Sequence, residues 1–310
     1  MEFSLNMHIT LKHLRLLEAI ARTGSITMAA KEANISQPAV SLQMKQLEEE
    51  IGEPLWEKVN KRIYMTDMGN IILNAGRDII GRLDLLEGEL EAGRGRVVGK
   101  LDIAVVTSAK HFLPHYLGEF MRLHPDVEPR LTVTNRAAVL KAIKENRHDL
   151  YIMGQVPDGL PMVAQPFLDN ILEVVAAPDH PLCGVANISL KKLSKEHFLV
   201  REPGSGTRIA VDRLFTEQGL EILPFMELGS SGAIKNAVIA GLGIAVISRH
   251  SLRLELKTNA IKTLDVENFP LHRRWHAAYP LGKHLSIAAA TFFEFLTASE
   301  NADIALGKTG

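Results

Sequence analysis

The stretch from Ser25 to Glu48 constrains the fold more than any other part of the chain. It reads as a short helix, a tight turn and a second helix. Alanines at 29, 30 and 33 are small enough to let the two helices approach closely. Ser36 is placed to N-cap the second helix, and Pro38 is tolerated in its first turn, where no backbone N–H is needed. Val40, Met44, Leu47 and Ile51 recur at spacings of four, three and four, so they share a buried face. Gln37, Ser41 and Lys45 lie on the opposite face, as groups able to reach base edges and phosphates. This pattern is a helix-turn-helix whose second helix enters the major groove of double-stranded DNA.

The flanking segments extend the motif. Residues 11–22 form an amphipathic helix with Leu14, Leu17, Ile20 and Ala21 on its core face, and Gly24 ends it. Thr27 is placed to cap the next helix. After Gly52-Glu53-Pro54, residues 55–59 and 62–66 alternate as two short strands around Asn60-Lys61. Alone, Lys61 and Arg62 would read as a solvated turn. Directly after a helix-turn-helix they read as the tip of a β-hairpin wing that tracks the DNA backbone or minor groove. The candidate DNA-contacting residues are therefore Ser25, Thr27, Ser36, Gln37, Pro38, Ser41, Lys45, Lys61 and Arg62.

Asp67 is placed to cap a long helix over 68–92. Met68, Ile72, Ala75, Ile79, Leu83, Leu86 and Leu90 follow a three-four spacing, the seam of a coiled coil, and predict that two chains pair here, with packing of the helix on its own C-terminal domain as the alternative. Residues 93–99 are rich in glycine and arginine and read as a hinge. Net charge supports the pairing. With 35 basic and 36 acidic residues the chain has few cations to spare, so it makes few phosphate contacts per copy and needs a dimer or tetramer for affinity.

From residue 100 onward strands and helices alternate. Apolar or β-branched runs at 101–106, 131–134, 150–153, 172–177, 198–200 and 244–247 are separated by helical segments at 114–123, 137–146, 208–218 and 233–240. That grammar predicts an α/β fold, a parallel sheet covered by helices. Ligands in such folds gather at the C-terminal ends of strands, where helix N-termini aim their N–H groups. Three loops there carry hydroxyls, glycines and cations. The candidate ligand-binding residues are Thr107, Ser108, Lys110, Gln155, Arg201, Ser205, Thr207, Arg208, Ser230 and Ser231. Lys110, Arg201 and Arg208 favour an anion. Each loop taken alone reads equally as an ordinary N-cap, and Arg201 reads equally as a structural ion-pair residue. Their convergence at equivalent ends of one sheet favours the binding reading.

Other function classes find no support. Cys183 is the single cysteine, which excludes an internal disulfide or a two-cysteine redox switch. His111/His115 and His272/His276 lack a further ligand at metal-binding spacing, so no metal is expected. No nucleophile elbow or P-loop occurs, and Gly241-Leu242-Gly243 runs straight into a strand as a helix C-cap. No catalytic residue is assigned and an enzyme is not expected. The absence of a long apolar run or a signal-like N-terminus predicts a cytoplasmic protein without a membrane partner.

Taken in order, these parts resemble a LysR-type transcriptional regulator over residues 9–298. The strongest local marks are residues 25–30, 36–41, 46–48 and 66–69. The resemblance implies a winged helix-turn-helix domain over 1–66, a linker and dimerisation helix over 67–94, a hinge over 95–99, an effector-binding domain over 100–300 and a tail over 301–310. It further implies that the effector domain folds like a periplasmic binding protein. Its subdomain I would span about 100–168 and 275–300, and subdomain II about 169–274. Crossover strands near 166–172 and 270–275 would join them, with a small effector in the cleft. Such proteins are homodimers or homotetramers on inverted-repeat promoter DNA and work with RNA polymerase.

A narrower resemblance, to activators of carbon-fixation (RuBisCO) operons, is carried by residues 61–66, 104–112, 135–136, 152–154 and 201–208. It implies a sugar phosphate, NADPH or another small anion as effector, with no cofactor. Residues 201–208 are shared with sulfur-assimilation regulators. A regulator of another metabolic operon, or a DNA-binder with no small-molecule effector, therefore stays open.

Overall fold

The computed structural model describes residues 8–60, 62–93, 96–299, 301 and 304. Lys61, Gly95 and most of the 301–310 tail lie outside the described residues. The chain begins with α1 (Leu11–Thr23), α2 (Ile26–Glu32) and α3 (Gln37–Ile51), then β1 (Trp56–Val59) and β2 (Arg62–Met65). Leu17, Ile20, Ala29, Val40, Met44 and Leu47 interlock as their core. Ser36 caps α3 as its sequence position dictates, its hydroxyl accepting from the Ala39 amide. Two other caps sit one or two residues from where they were expected. Ser25, not Thr27, accepts from the Met28 amide at the start of α2, and Thr66, not Asp67, accepts from the Gly69 amide. In both cases the hydroxyl that precedes the first helical residue is the one with access to the free N–H groups.

Strands β1 and β2 pair antiparallel, with Trp56 opposite Met65. The hairpin is fastened to the helices by the Ile63 amide, which donates to the Gly24 carbonyl at 3.1 Å. Glu48, at the end of α3, accepts from the Leu55 amide at 2.8 Å, so it closes the turn into the wing. Gly69 lies so near this turn that a Cβ there would stand 1.9 Å from the Leu55 carbonyl oxygen.

Helix α4 (Asp67–Ala92) leads away and packs against α1 on one side and the last helix on the other. The elements that follow are β3 (Gly99–Val106), α5 (Leu113–Leu123), β4 (Val127–Thr134), α6 (Arg136–Lys144), β5 (Leu150–Met153) and β6 (Met162–Ala176). Then come α7 (Leu190–Leu193), β7 (Phe198–Arg201), α8 (Gly206–Glu217), β8 (Pro224–Leu228), α9 (Ser231–Ile239) and β9 (Ile244–Ser248). Helix α10 (Arg253–Lys257), β10 (Lys262–Thr263), β11 (Leu271–Pro280) and α11 (Ile287–Thr297) complete the chain.

Among the described residues nine strands join in one sheet, ordered β4-β3-β5-β11-β6-β9-β7-β8 with β10 also on β6. The sheet is mixed, not wholly parallel. Pairs of β3 with β4 and β5, and of β7 with β8 and β9, are parallel. The central β6 and β11 run antiparallel to each other over ten residues. The two ends of the sheet have separate cores. One gathers Leu101, Phe112, Phe120, Trp275 and Phe292; the other gathers Leu172, Phe198, Val211, Phe215 and Val246. Between them the β6–β11 register shifts, as Trp275 faces Leu168 and His276 faces Pro166. Pro166 has no N–H to give the ladder, so a bulge at this point relieves the pairing. The crossover thus has its irregularity where one core gives way to the other.

Candidate functional site

Two places in this fold have chemistry to offer: the outward face of α3 and the cleft above the crossover strands. On α3, Val40, Met44 and Leu47 are fully buried, which turns Gln37, Pro38 and Lys45 outward. Ser41 is half-buried beside them. Gln37 Nε2 donates to Ser41 Oγ at 2.8 Å, so one turn of helix holds the amide in place. Lys45 pairs loosely with Glu49 at 3.5 Å, and both are largely exposed. Ser25 and Ser36 spend their hydroxyls on caps. Arg62, the first residue of β2 and paired with Val59 next to the hairpin turn, lays its side chain over Gly24 and the Tyr64 ring.

The cleft is lined by Thr107, Ser108, Arg136, Gly154, Gln155, Asn170, Arg201, Glu202, Ser205, Thr207, Arg273 and Trp275, with about 30 Å³ of free space. Six of the ten residues expected from sequence reach it: Thr107, Ser108, Gln155, Arg201, Ser205 and Thr207. The other four do not line it. Lys110 is exposed beyond the first loop. Arg208 is turned away, its Nε held by both Asp212 oxygens at 2.7 and 2.8 Å, with Nη1 on the Arg201 carbonyl. Ser230 caps α9, and Ser231 lies behind the cleft wall, where it accepts from Arg201 Nη1 at 3.2 Å.

Arg201 is 7% exposed and its fork is already engaged. Nε and Nη2 hold the Glu202 carboxylate at 2.7 and 2.8 Å. Nη2 also donates to Thr107 Oγ1 at 2.8 Å, across the cleft. This arginine is a strut that ties the end of β7 to the end of β3. The structural reading of Arg201 therefore holds alongside its place in the lining.

The free cationic character comes from two arginines the cleft inventory from sequence omitted. Arg136 opens α6, and its Nη1 donates to the Gln155 carbonyl at 2.6 Å. Arg273 projects from β11 and donates to the Gly206 carbonyl at 2.7 Å and to the Gly154 carbonyl and Gln155 Oε1 at 3.3 Å. Their partners here are neutral acceptors, and among the described residues no carboxylate is hydrogen-bonded to either guanidinium. Burial lowers the pKa of both below the usual arginine value, and for Arg273 the nearby charge of Arg136 adds to the effect. Asp158 offsets part of the shift at Arg136. Two guanidiniums that burial and mutual repulsion disfavour are stabilised by an anion placed between them. Gly154 gives the anion floor its closeness: a Cβ there would meet Asn170 Nδ2 at 2.9 Å.

The same α6 that begins at Arg136 ends against the linker helix. Arg77 of α4 donates to the Glu145 carbonyl at 2.6 Å, and Asn146 donates to Asp78 at 2.8 Å. Arg77 also stands 3.6 Å from Glu18 of α1. One short helix thus spans from the cleft to the junction of linker and DNA-reading domain.

This order of parts matches known proteins. Residues 11–70 match the bacterial regulatory helix-turn-helix proteins of the lysR family, and residues 94–300 match the LysR substrate binding domain. The chain belongs to the LysR family of transcriptional regulators. As a LysR regulator it binds DNA and controls transcription through a small-molecule-binding domain, and it is not an enzyme. It is 43% identical over 290 residues to the RuBisCO operon transcriptional regulator of Allochromatium vinosum, covering 94% of this chain and 96% of that one. The regulatory domain of CcmR from Synechocystis PCC6803, solved in complex with 2-PG, is 43% identical with a TM-score of 0.62 over 64% of this chain and 96% of that chain. Full-length OxyR from Pseudomonas aeruginosa shares the whole fold, with a TM-score of 0.73 at 19% identity, covering 94% and 99% of the two chains. Among the described residues no helix of this LysR regulator is long and apolar enough to cross a membrane, and no cluster of His, Cys, Asp or Glu could hold a metal.

Proposed function

We propose that this LysR regulator is an activator of carbon-fixation genes and that the anion it senses is small, of the size and charge of the 2-PG bound by the CcmR regulatory domain. The observation that carries this reading is the pair Arg136 and Arg273, half-buried, electrostatically coupled and, among the described residues, bonded to neutral acceptors. The relatives named for the RuBisCO operon supply the pathway. The cleft as it stands has about 30 Å³ of free space, room for roughly two waters. Any organic anion therefore enters only as the subdomains part, and NADPH or a sugar phosphate of several carbons needs a wider opening than 2-PG.

The division of labour follows from the cores. Subdomain I contributes Thr107, Arg136 and Gln155; subdomain II contributes Arg201, Ser205 and Thr207; Arg273 of the crossover bonds to both. An anion held by all three groups prefers one closure angle, and only such unequal affinity shifts the protein between arrangements on DNA. Helix α6 carries the displacement from Arg136 to Arg77. Ile79, Leu86 and Leu90 of α4 are about half exposed in the single chain, and two chains cover them by pairing linker helices. The dimer, or a tetramer of two dimers, then places paired recognition helices on an inverted repeat beside RNA polymerase in the cytoplasm.

The test is a footprint of the full chain on the DNA upstream of the carbon-fixation operon of its own genome, with and without 2-PG. The expected result is protection of an inverted repeat whose extent changes on adding 2-PG. Protection that is identical in both lanes, or absent, contradicts the reading.

A further inference from the structure

The centre of the α3 face turned toward DNA is apolar. Leu42 is 57% exposed, and Pro38, one turn before it, is exposed beside it. At 100° per residue the buried stripe of Val40, Met44 and Leu47 points one way and Leu42 points almost directly opposite. Gln37, Ser41 and Lys45 flank the pair on one side. The 2.8 Å hydrogen bond from Gln37 to Ser41 uses one of the two N–H donors of the amide and orients the rest, while Leu42 has no polar atom with which to bond phosphate or a base edge.

The edge of the major groove offers donors, acceptors and one apolar group, the C5-methyl of thymine. A leucine at the middle of a helix that enters this groove has one complement there. We infer that Leu42, backed by Pro38, is a specificity-determining residue that selects a thymine by packing on its methyl group. Gln37 and Leu42 then read different features: Gln37 a hydrogen-bonding edge, Leu42 a methyl. The inference rests on the family reading that α3 is the recognition helix.

The probe is a duplex enriched from random-sequence DNA by the full-length protein. Each thymine of that duplex is replaced in turn by uracil, which keeps the Watson–Crick edge and removes only the methyl. Binding of the wild type is expected to fall about three- to fivefold at one thymine in each half-site, the worth of one buried methyl, and to stay level at the rest. Leu42→Ala, an exposed substitution whose fold is checked by circular dichroism, is expected to bind the thymine and uracil duplexes equally. A uracil scan with no sensitive position overturns the inference, as does a sensitive position that Leu42→Ala leaves unchanged. Failure to enrich any duplex overturns the assignment of α3 to DNA itself, a distinct outcome.

Discussion

The DNA-reading face and the effector cleft both present cations, and they are built in opposite ways. The face draws on about two turns of one helix, with side chains in water and partners one turn away, as in Gln37 and Ser41. The cleft draws on residues 94 and 119 positions apart in sequence, as in Thr107 with Arg201 and Gly154 with Arg273. Exposed cations such as Lys45 act through solvent and weaken with salt. Half-buried guanidiniums such as Arg136 and Arg273 are poorly solvated before any ligand arrives, and a bound anion restores what burial took away. Under the proposed function, one chain then reads a polyanion by surface and a single small anion by depth.

The largest expected effect concerns how two faces are brought to one DNA. Leu83→Asp with Leu86→Asp on α4 should halve the mass seen by light scattering. It should weaken binding to the inverted repeat by about 100-fold or more, because the second half-site no longer benefits from tethering. Unchanged mass would mean that the α/β domains hold the dimer. Next is base readout. Gln37→Ala should cost roughly 1–3 kcal/mol on the selected sequence and little on random DNA. Equal losses on both would remove Gln37 from specificity. A smaller effect is expected at the cleft strut. Thr107→Val deletes the acceptor for Arg201 Nη2 and should lower stability by about 1 kcal/mol in urea denaturation. An unmoved midpoint would mean that this bond does not join the subdomains.

The smallest effect is one of pH. His111 is half-buried near the Lys235–Glu255 ion pair, and among the described residues its Nε2 has no hydrogen-bond partner. Burial pushes its pKa down to about 4, with Lys235 and Lys110 adding to the shift and Glu255 opposing it. The folded chain therefore holds this imidazole neutral, while the unfolded chain protonates it near its ordinary value of 6.5. Its contribution to stability is complete above about pH 6.5 and is lost as pH falls toward 4. His250 and His276 are also lowered by burial and act in the same direction. Thermal melts of His111→Gln should show a shallower loss between these limits than wild type. Parallel curves would assign the acid sensitivity to other groups.

How far each region was legible in sequence follows from the same contrast. The helix-turn-helix was readable because its buried stripe, cap and turn lie within 24 consecutive residues. The errors there were displacements of a cap, Ser25 for Thr27 and Thr66 for Asp67, among residue types that all cap well. In the cleft, the loops after β3 and β7 were readable from their glycines and hydroxyls. Arg136 and Arg273 were not, because their proximity depends on a sheet order that brings β11 beside β5 and β6. Arg208 could have been set aside from sequence, since Asp212 stands four residues on along the same helix. The strand β11 was placed only through the family resemblance, as a crossover near 270–275, and the helix α11 was missed as an element. The first opens with three consecutive polar residues, His272, Arg273 and Arg274, and the second is apolar almost all round, so neither shows a clean amphipathic period.

We propose that depth and surface are separate, with Arg136 and Arg273 for the small anion and α3 for DNA. The most direct test is calorimetric titration of 2-PG into wild type and into Arg136→Met with Arg273→Met, with DNA binding of both proteins measured in parallel. Wild type should bind 2-PG. The double variant should bind it at least about 100-fold more weakly, since each charge-assisted contact is worth roughly 1.5–3 kcal/mol. Its affinity for the selected duplex without 2-PG should stay near that of wild type. Undiminished 2-PG binding by the variant would contradict the account, as would loss of DNA binding along with the anion.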